Sequence, residues 1–133
     1  MRSARRSLEI KQGLAWVEVA LRSDSGSIHH EKFVLDTGTA HTSLAVELAT
    51  EIGFPRSRRL GTARYETPHG LVKGYTVRIP SINVMGREIT DYLVGCQRFH
   101  TSFHVPGILG LDFFSDTDLL LSLRRQKSIH IAW

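Results

Sequence analysis

Phe33-Val34-Leu35-Asp36-Thr37-Gly38-Thr39 is the stretch on which the reading of this chain turns. Three consecutive apolar residues end in a carboxylate, and a small hydroxyl residue and a glycine follow at once. A strand that stops in this way leaves Asp36 at its mouth, and Gly38 lets the backbone close on the carboxylate without a side chain in between. The tripeptide Asp-Thr-Gly occurs once in 133 residues, and Asp116-Thr117-Asp118 lacks the glycine. Carboxylate acid–base chemistry on an unactivated bond needs a pair, because one group must hold a proton while the other accepts one. One such loop is half of that apparatus.

Outward from the loop, the pattern is that of strands. Residues 14–21 alternate, with Trp16, Glu18 and Ala20 on one face and Ala15, Val17, Val19 and Leu21 on the face expected to turn inward. The polar break at residues 22–27 has turn chemistry, and residues 28–35 return as the strand that carries the loop. Downstream, Leu44, Leu48 and Ile52 at i, i+4 and i+8 predict a short helix over 45–53, with Ser43 as its cap and Gly53 as its stop. Residues 60–79 read as a hairpin broken at Thr67-Pro68-His69-Gly70, where Pro and Gly suit a type I turn. Further strands are expected at 81–85 and 88–95, joined through Met85-Gly86-Arg87, then over 108–114, 119–123 and 128–133, with a helical or turn-like piece at 115–118. The fold class expected is mainly β.

Length allows one domain with a real core and not two, placed at 14–133 behind a basic N-terminal extension at 1–13. No apolar run approaches the roughly 20 residues of a membrane-spanning helix. The basic start at residues 1–7 is followed by Leu8-Glu9-Ile10-Lys11-Gln12 rather than by an apolar core, so no secretory leader is expected. The single Cys96 cannot form an intrachain disulfide, which fits a reducing compartment, and the cytoplasm is the expected location. A net charge of +4 arises from 17 basic and 13 acidic residues. The basic clusters are short and not interleaved with stacking aromatics, so nucleic acid is not the expected partner.

Three elements in order resemble the retropepsin-like aspartic proteases, the short cellular and bacterial members more than the viral ones. They are residues 33–39, the hairpin tip at 67–70, and Gly107-Ile108-Leu109-Gly110-Leu111-Asp112-Phe113-Phe114. The resemblance spans nearly the whole chain and implies a closed β-barrel, half of an acid protease, with one or two short helices, active as a symmetric homodimer. It implies an endopeptidase in which water is held between Asp36 and the Asp36 of a second copy. Thr37 would bond across the two-fold axis to its twin loop, Gly38 would admit backbone to the carboxylate, and Thr39 would donate to it. Leu109 and Gly110 would be structural, crossing beneath the loop.

The hairpin residues Tyr65, Glu66, Thr67, Pro68, His69 and Gly70 would form a flap over an extended peptide substrate. Ala40, His41, Val105, Pro106 and Ile108 would line subsites, and Ile108 with Leu71 and Val72 would favour hydrophobic residues flanking the cut. The resemblance implies neither cofactor nor metal. Residues 128–133 are apolar enough to serve as a dimerisation strand. Three departures bear on substrate: the tip has one glycine and a rigid Pro68 where viral flaps are glycine-rich, Ala40-His41 stand where viral enzymes commonly carry acidic residues, and Leu111-Asp112 stand where viral members usually carry Arg. The alternative is a catalytically silent dimerisation or peptide-binding module on the same scaffold.

Other constellations are weaker. His100 and His104 have helical metal-site spacing, but Pro106 and the residues between them disfavour a helix, and no Glu follows His100. Cys96 follows the apolar run Tyr92-Leu93-Val94 and reads as a buried strand-end residue rather than a nucleophile.

Overall fold

The computed structural model describes residues 1–68, 70–125 and 127–133, with Thr67 described in its backbone only. Eleven strands are present among them: β1 (Ser3–Ser7), β2 (Glu9–Lys11), β3 (Leu14–Arg22), β4 (Ile28–Leu35), β5 (Ser43–Ala45), β6 (Gly61–Thr67), β7 (Gly70–Val84), β8 (Arg87–Gln97), β9 (Gly107–Leu109), β10 (Asp118–Ser122) and β11 (Ser128–Ala132). One helix, α1 (Val46–Glu51), and two 3-10 turns at Arg56–Arg58 and Leu111–Phe114 complete the described elements.

Eight strands form one sheet in the order β2-β3-β4-β9-β5-β8-β7-β6. A further pairing of Ala20, Leu21 and Arg22 in β3 with Asn83, Ile82 and Ser81 in β7 joins the two sides and closes the barrel. The closure depends on the 15-residue β7, which pairs with β6 in its first half and with β8 and β3 in its second. A strand this long accumulates enough twist to leave one neighbour and reach another. Residues 81–85, expected as a separate strand, are therefore its continuation, and Met85 and Gly86, both at positive φ, make the two-residue turn into β8. The inward face expected of β3 is found: Val17, Val19 and Leu21 are buried, packed with Phe33, Ile79, Ile82 and Leu109 in one core.

The remaining three strands form a small sheet, β1-β11-β10, in which β11 is the middle member. Residues 1–13, read as an extension ahead of the domain, thus carry β1, paired with β11, and β2, paired with β3.

Local chemistry explains the helix boundaries. Gly53 at φ +97 turns the chain, the Phe54 N–H donates to the Ala49 carbonyl at 2.7 Å, and the Gly53 N–H donates to Thr50 at 3.1 Å. This pattern closes the last turn while Phe54 is buried. Ser43 is not the cap. It lies in β5 and accepts a bond from Gln97 Nε2, while Ala45 occupies the cap position without a side-chain bond. Strand β5 intervenes because Ser43, Leu44 and Ala45 pair in parallel with Gly95, Cys96 and Gln97 of β8. The expected strand at 108–114 is three residues long and then winds into the 3-10 turn at Leu111–Phe114, upstream of the helical piece expected at 115–118. Among the described residues no helix is long and apolar enough to cross a membrane.

Candidate active site

Asp36 leaves the end of β4, where Val34 and Leu35 pair in parallel with Ile108 and Leu109 of β9. Its own N–H donates to the Leu109 carbonyl at 3.0 Å, so the residue is fixed by the strand beneath it. The next residues then fold back on the carboxylate. The Gly38 N–H donates to Oδ1 at 2.9 Å, the Thr39 hydroxyl donates to Oδ2 at 2.9 Å, and the Thr39 N–H reaches the Asp36 carbonyl at 3.2 Å. Both carboxylate oxygens are held. A Cβ at Gly38 would lie 3.2 Å from Oδ1, a closeness that leaves little room for any larger residue. Thr37 is exposed.

Beneath this loop, Gly110 is pressed against the chain at residues 39–41: a Cβ there would fall 2.7 Å from the His41 carbonyl carbon and 2.9 Å from the Thr39 and His41 oxygens. Its φ of −96° is open to any residue, so it is space and not conformation that requires glycine. The Leu111 and Asp112 N–H groups donate to the Thr39 and Ala40 carbonyls at 2.8 and 3.1 Å. Leu109 is fully buried. The chain segment 107–112 is thereby bonded to the Asp36 loop along its length.

A buried threonine ties the two segments further. The Thr42 hydroxyl donates to Asp112 Oδ1 at 2.7 Å and accepts the Gly110 N–H at 3.0 Å, and the Thr42 N–H donates to the same carboxylate oxygen at 3.0 Å. Nothing in the local sequence singles out Thr42; its role appears only when two segments about 70 residues apart meet. The Tyr92 hydroxyl ends beside this pair, buried and without a hydrogen-bond partner among the described residues, and burial raises its pKa.

Asp36 opens into a cleft of about 860 Å³. Thr39, Ala40, His41, Thr42 and Ile108 line it on the side of the loop, and Tyr65, Glu66 and Pro68 line it from the β6–β7 hairpin. Thr67 and Gly70 are register partners at the hairpin end; His69, and with it the turn type, lies outside the described residues. Tyr65 points its hydroxyl at β8, where the oxygen stands 1.8 Å from the place a Gly95 Cβ would take. Burial there pushes its phenol up to about 12.

Two of the expected subsite residues are elsewhere. Val105 is buried in a satellite cluster with Trp16 and Val34, and Pro106 faces a separate cavity of about 500 Å³ beside Trp16 and Phe103. Ile108 lines the cleft but these neighbours do not, because residues 98–106 form an irregular segment that carries Val105 and Pro106 to the Trp16 side. Leu71 is exposed and does not line the cleft. The wall that sequence reasoning missed is the exit of β8 and the residues after it: Leu93, Gly95, Gln97, Arg98, Phe99 and His100. The available signal was Gly95, a glycine inside an apolar strand, which marks close approach by another group.

The gag-polyprotein putative aspartyl protease family model matches residues 27–116. No curated protein matches the chain. Among solved structures, a retropepsin-like aspartic protease from Rickettsia conorii is similar in fold, with a TM-score of 0.70 at 14% sequence identity, over 98% of this chain and 91% of that one.

Proposed function

The chain belongs to the retropepsin-like aspartic proteases, and we propose that it is an endopeptidase that works as a two-fold homodimer on extended protein segments. The observation that carries the proposal is the state of Asp36: its two oxygens are held by Gly38 and Thr39 at the floor of a cleft roofed by a hairpin. One carboxylate cannot both activate water and protonate the scissile carbonyl. Asp112, the acid of the segment 107–114, is bound to Thr42 instead. Asp36 of a second copy supplies the other carboxylate, brought opposite the first by a two-fold axis next to the exposed Thr37.

Water between the two carboxylates attacks the carbonyl carbon while one carboxylate takes its proton. The other protonates the carbonyl oxygen, and collapse of the tetrahedral species transfers a proton to the leaving nitrogen. The hairpin adds main-chain hydrogen bonds to an extended substrate and excludes bulk water. Ile108 and Ala40 at the floor favour apolar side chains next to the cut.

Strand β11 is paired on both sides within one copy, so a strand contact between copies through the small sheet uses an outer edge. Self-pairing of β1 would set Arg5 and Arg6 near their twins, whereas β10 offers Leu119, Leu120 and Leu121, with Leu120 63% exposed. Digestion of a peptide library, combined with sedimentation, tests the proposal. The wild type is expected to cleave and sediment as a dimer, and Asp36→Asn to lose cleavage with the dimer intact. Cleavage by a species that stays monomeric sinks the shared site, and a dimer that cleaves nothing from acidic to neutral pH makes the chain a binding module.

A further inference from the structure

The charges around the cleft are unbalanced. Among the described residues Glu66 is the single acidic residue besides Asp36 that lines it, whereas Arg64, Arg98, His41 and His100 all do. Elsewhere, three basic side chains pair with carboxylates among the described residues: Lys32 with Glu9, Arg58 with Asp24 and Arg78 with Asp91. In the cleft one pair occurs among the described residues, Arg98 with Glu47, at 3.9 Å with both side chains about 70% exposed (74% and 67%). A pair that long and that wet holds its guanidinium weakly. Arg64 lies at the cleft edge on the exposed face of β6, opposite to the inward-packed Tyr65, and has Lys73 as its cross-strand partner.

The positions matter as well as the count. The parallel pairing of β5 with β8 sets Ser43 opposite Gly95 and Ala45 opposite Gln97, so His41 stands at the Asp36 end of this wall and Arg98 and His100 at the far end. At about 3.3 Å per residue, an extended peptide passing Asp36 reaches Arg98 several residues from its scissile bond. The floor next to Asp36 is apolar, through Ala40 and Ile108.

We infer that the cleft selects peptides carrying a glutamate or aspartate a few residues from the scissile bond, bound by the Arg98 guanidinium with His41 and His100 as further donors. The inference rests on the endopeptidase reading and names its substrate class. In the two-fold assembly each group occurs twice, so an acidic side chain on either side of the cut meets the same partners. The arginine fork suits a carboxylate in a way that the apolar floor does not.

Matched peptides that differ by Glu against Gln at single positions on either side of the cut test this. For the wild type the ratio of kcat/KM, Glu over Gln, should exceed one by roughly 1.5- to 5-fold per contact, as expected of partly exposed ion pairs, and shrink towards one as added salt screens the charges. The variant Arg98→Gln should bring the ratio to about one, while Arg78→Gln, outside the cleft, should leave it unchanged. Equal cleavage of both peptides by the wild type overturns the inference and leaves the protease reading standing. Fluorescence anisotropy of the same labelled peptides with Asp36→Asn reads the preference without turnover: if the wild type cleaves nothing yet the variant still binds the Glu peptide more tightly, the protease reading fails and the charge selection holds. Equal binding of the two peptides overturns the selection.

Discussion

The Thr42 hydroxyl donates to Asp112 Oδ1 at 2.7 Å and accepts the Gly110 N–H at 3.0 Å, and through that one side chain the segment leaving the Asp36 loop is fastened to the segment beneath it. Thr42 is fully buried, so no water replaces what it provides. Thr42→Val keeps the shape and removes the hydroxyl, leaving the buried Gly110 N–H without its acceptor and the half-buried Asp112 Oδ1 with the Thr42 N–H alone. The expected loss is about 2–3 kcal/mol, the range for a hydrogen bond to a charged group whose partner stays buried. Thr42→Ser keeps the hydroxyl and should lose about 1 kcal/mol for the missing methyl. Urea midpoints of the three proteins check the order; equal losses in Val and Ser would mean that the hydroxyl is not the link.

Tyr65 and Gly95 give a second, sharper case. A Cβ at 95 would sit 1.8 Å from the Tyr65 oxygen, the free end of a side chain that can swing away. Gly95→Ala should therefore fold, with a cost of about 1–3 kcal/mol for overpacking, and release the hairpin from β8. Hydrogen exchange of residues 61–76 should speed up relative to β3 and β4. Unchanged exchange would show that Tyr65 does not anchor the hairpin.

The sequence discloses those parts of the molecule whose cause is local. The alternation of residues 14–21, the turn at 22–27 and the single Asp-Thr-Gly are each written within one short stretch, and β3, β4 and the loop follow from them. Ser43 misled as a cap because a parallel partner, β8, claims it for a strand; that competition lies about 50 residues away. Val105 and Pro106 misled because nearness in sequence to Ile108 was taken for nearness to the cleft, and the irregular segment before β9 carries them to the Trp16 side instead. The basic cleft wall was hidden for a different reason. Arg64 and Arg98 are ordinary surface residues in one dimension, and the barrel brings them to one opening.

Residues 128–133 read in isolation as a strand that a second copy could use. In the fold β11 is the centre of its sheet, bonded to β1 and β10, with Ile129 and Ile131 buried. Truncation before Ser128 removes two core side chains, each worth about 2–5 kcal/mol, which approaches the whole stability of a domain this size, about 5–15 kcal/mol. The truncated chain should fail to fold rather than merely change its assembly, and circular dichroism reads the difference. Leu120→Lys isolates assembly instead. It changes an exposed edge residue, so the thermal transition of a single copy should move little, within about 0.5 kcal/mol, while sedimentation should show a weaker dimer if the β10 edge is the contact.

Alkaline pH should undo the barrel from inside. Burial pushes the Tyr65 phenol, the Tyr75 phenol and the Cys96 thiol each up to about 12, and raises Tyr92 as well. Tyr65 and Tyr75 are raised further by their neighbour Cys96, and Tyr75 is anchored through its hydroxyl to the Phe54 carbonyl at 2.9 Å. In each case the folded protein holds a proton that the unfolded chain releases at lower pH, so above the unfolded values the unfolded state binds fewer protons and stability falls as pH rises. The contribution is complete below the ordinary thiol and phenol range, about 8.5 to 10, and is lost on the way to the folded value of about 12. Urea midpoints should be level near neutrality and decline through this window, with Cys96→Ala moving the onset upwards towards the tyrosine range. A midpoint that stays level through the window would mean that these groups ionise as readily in the folded protein as in the unfolded chain.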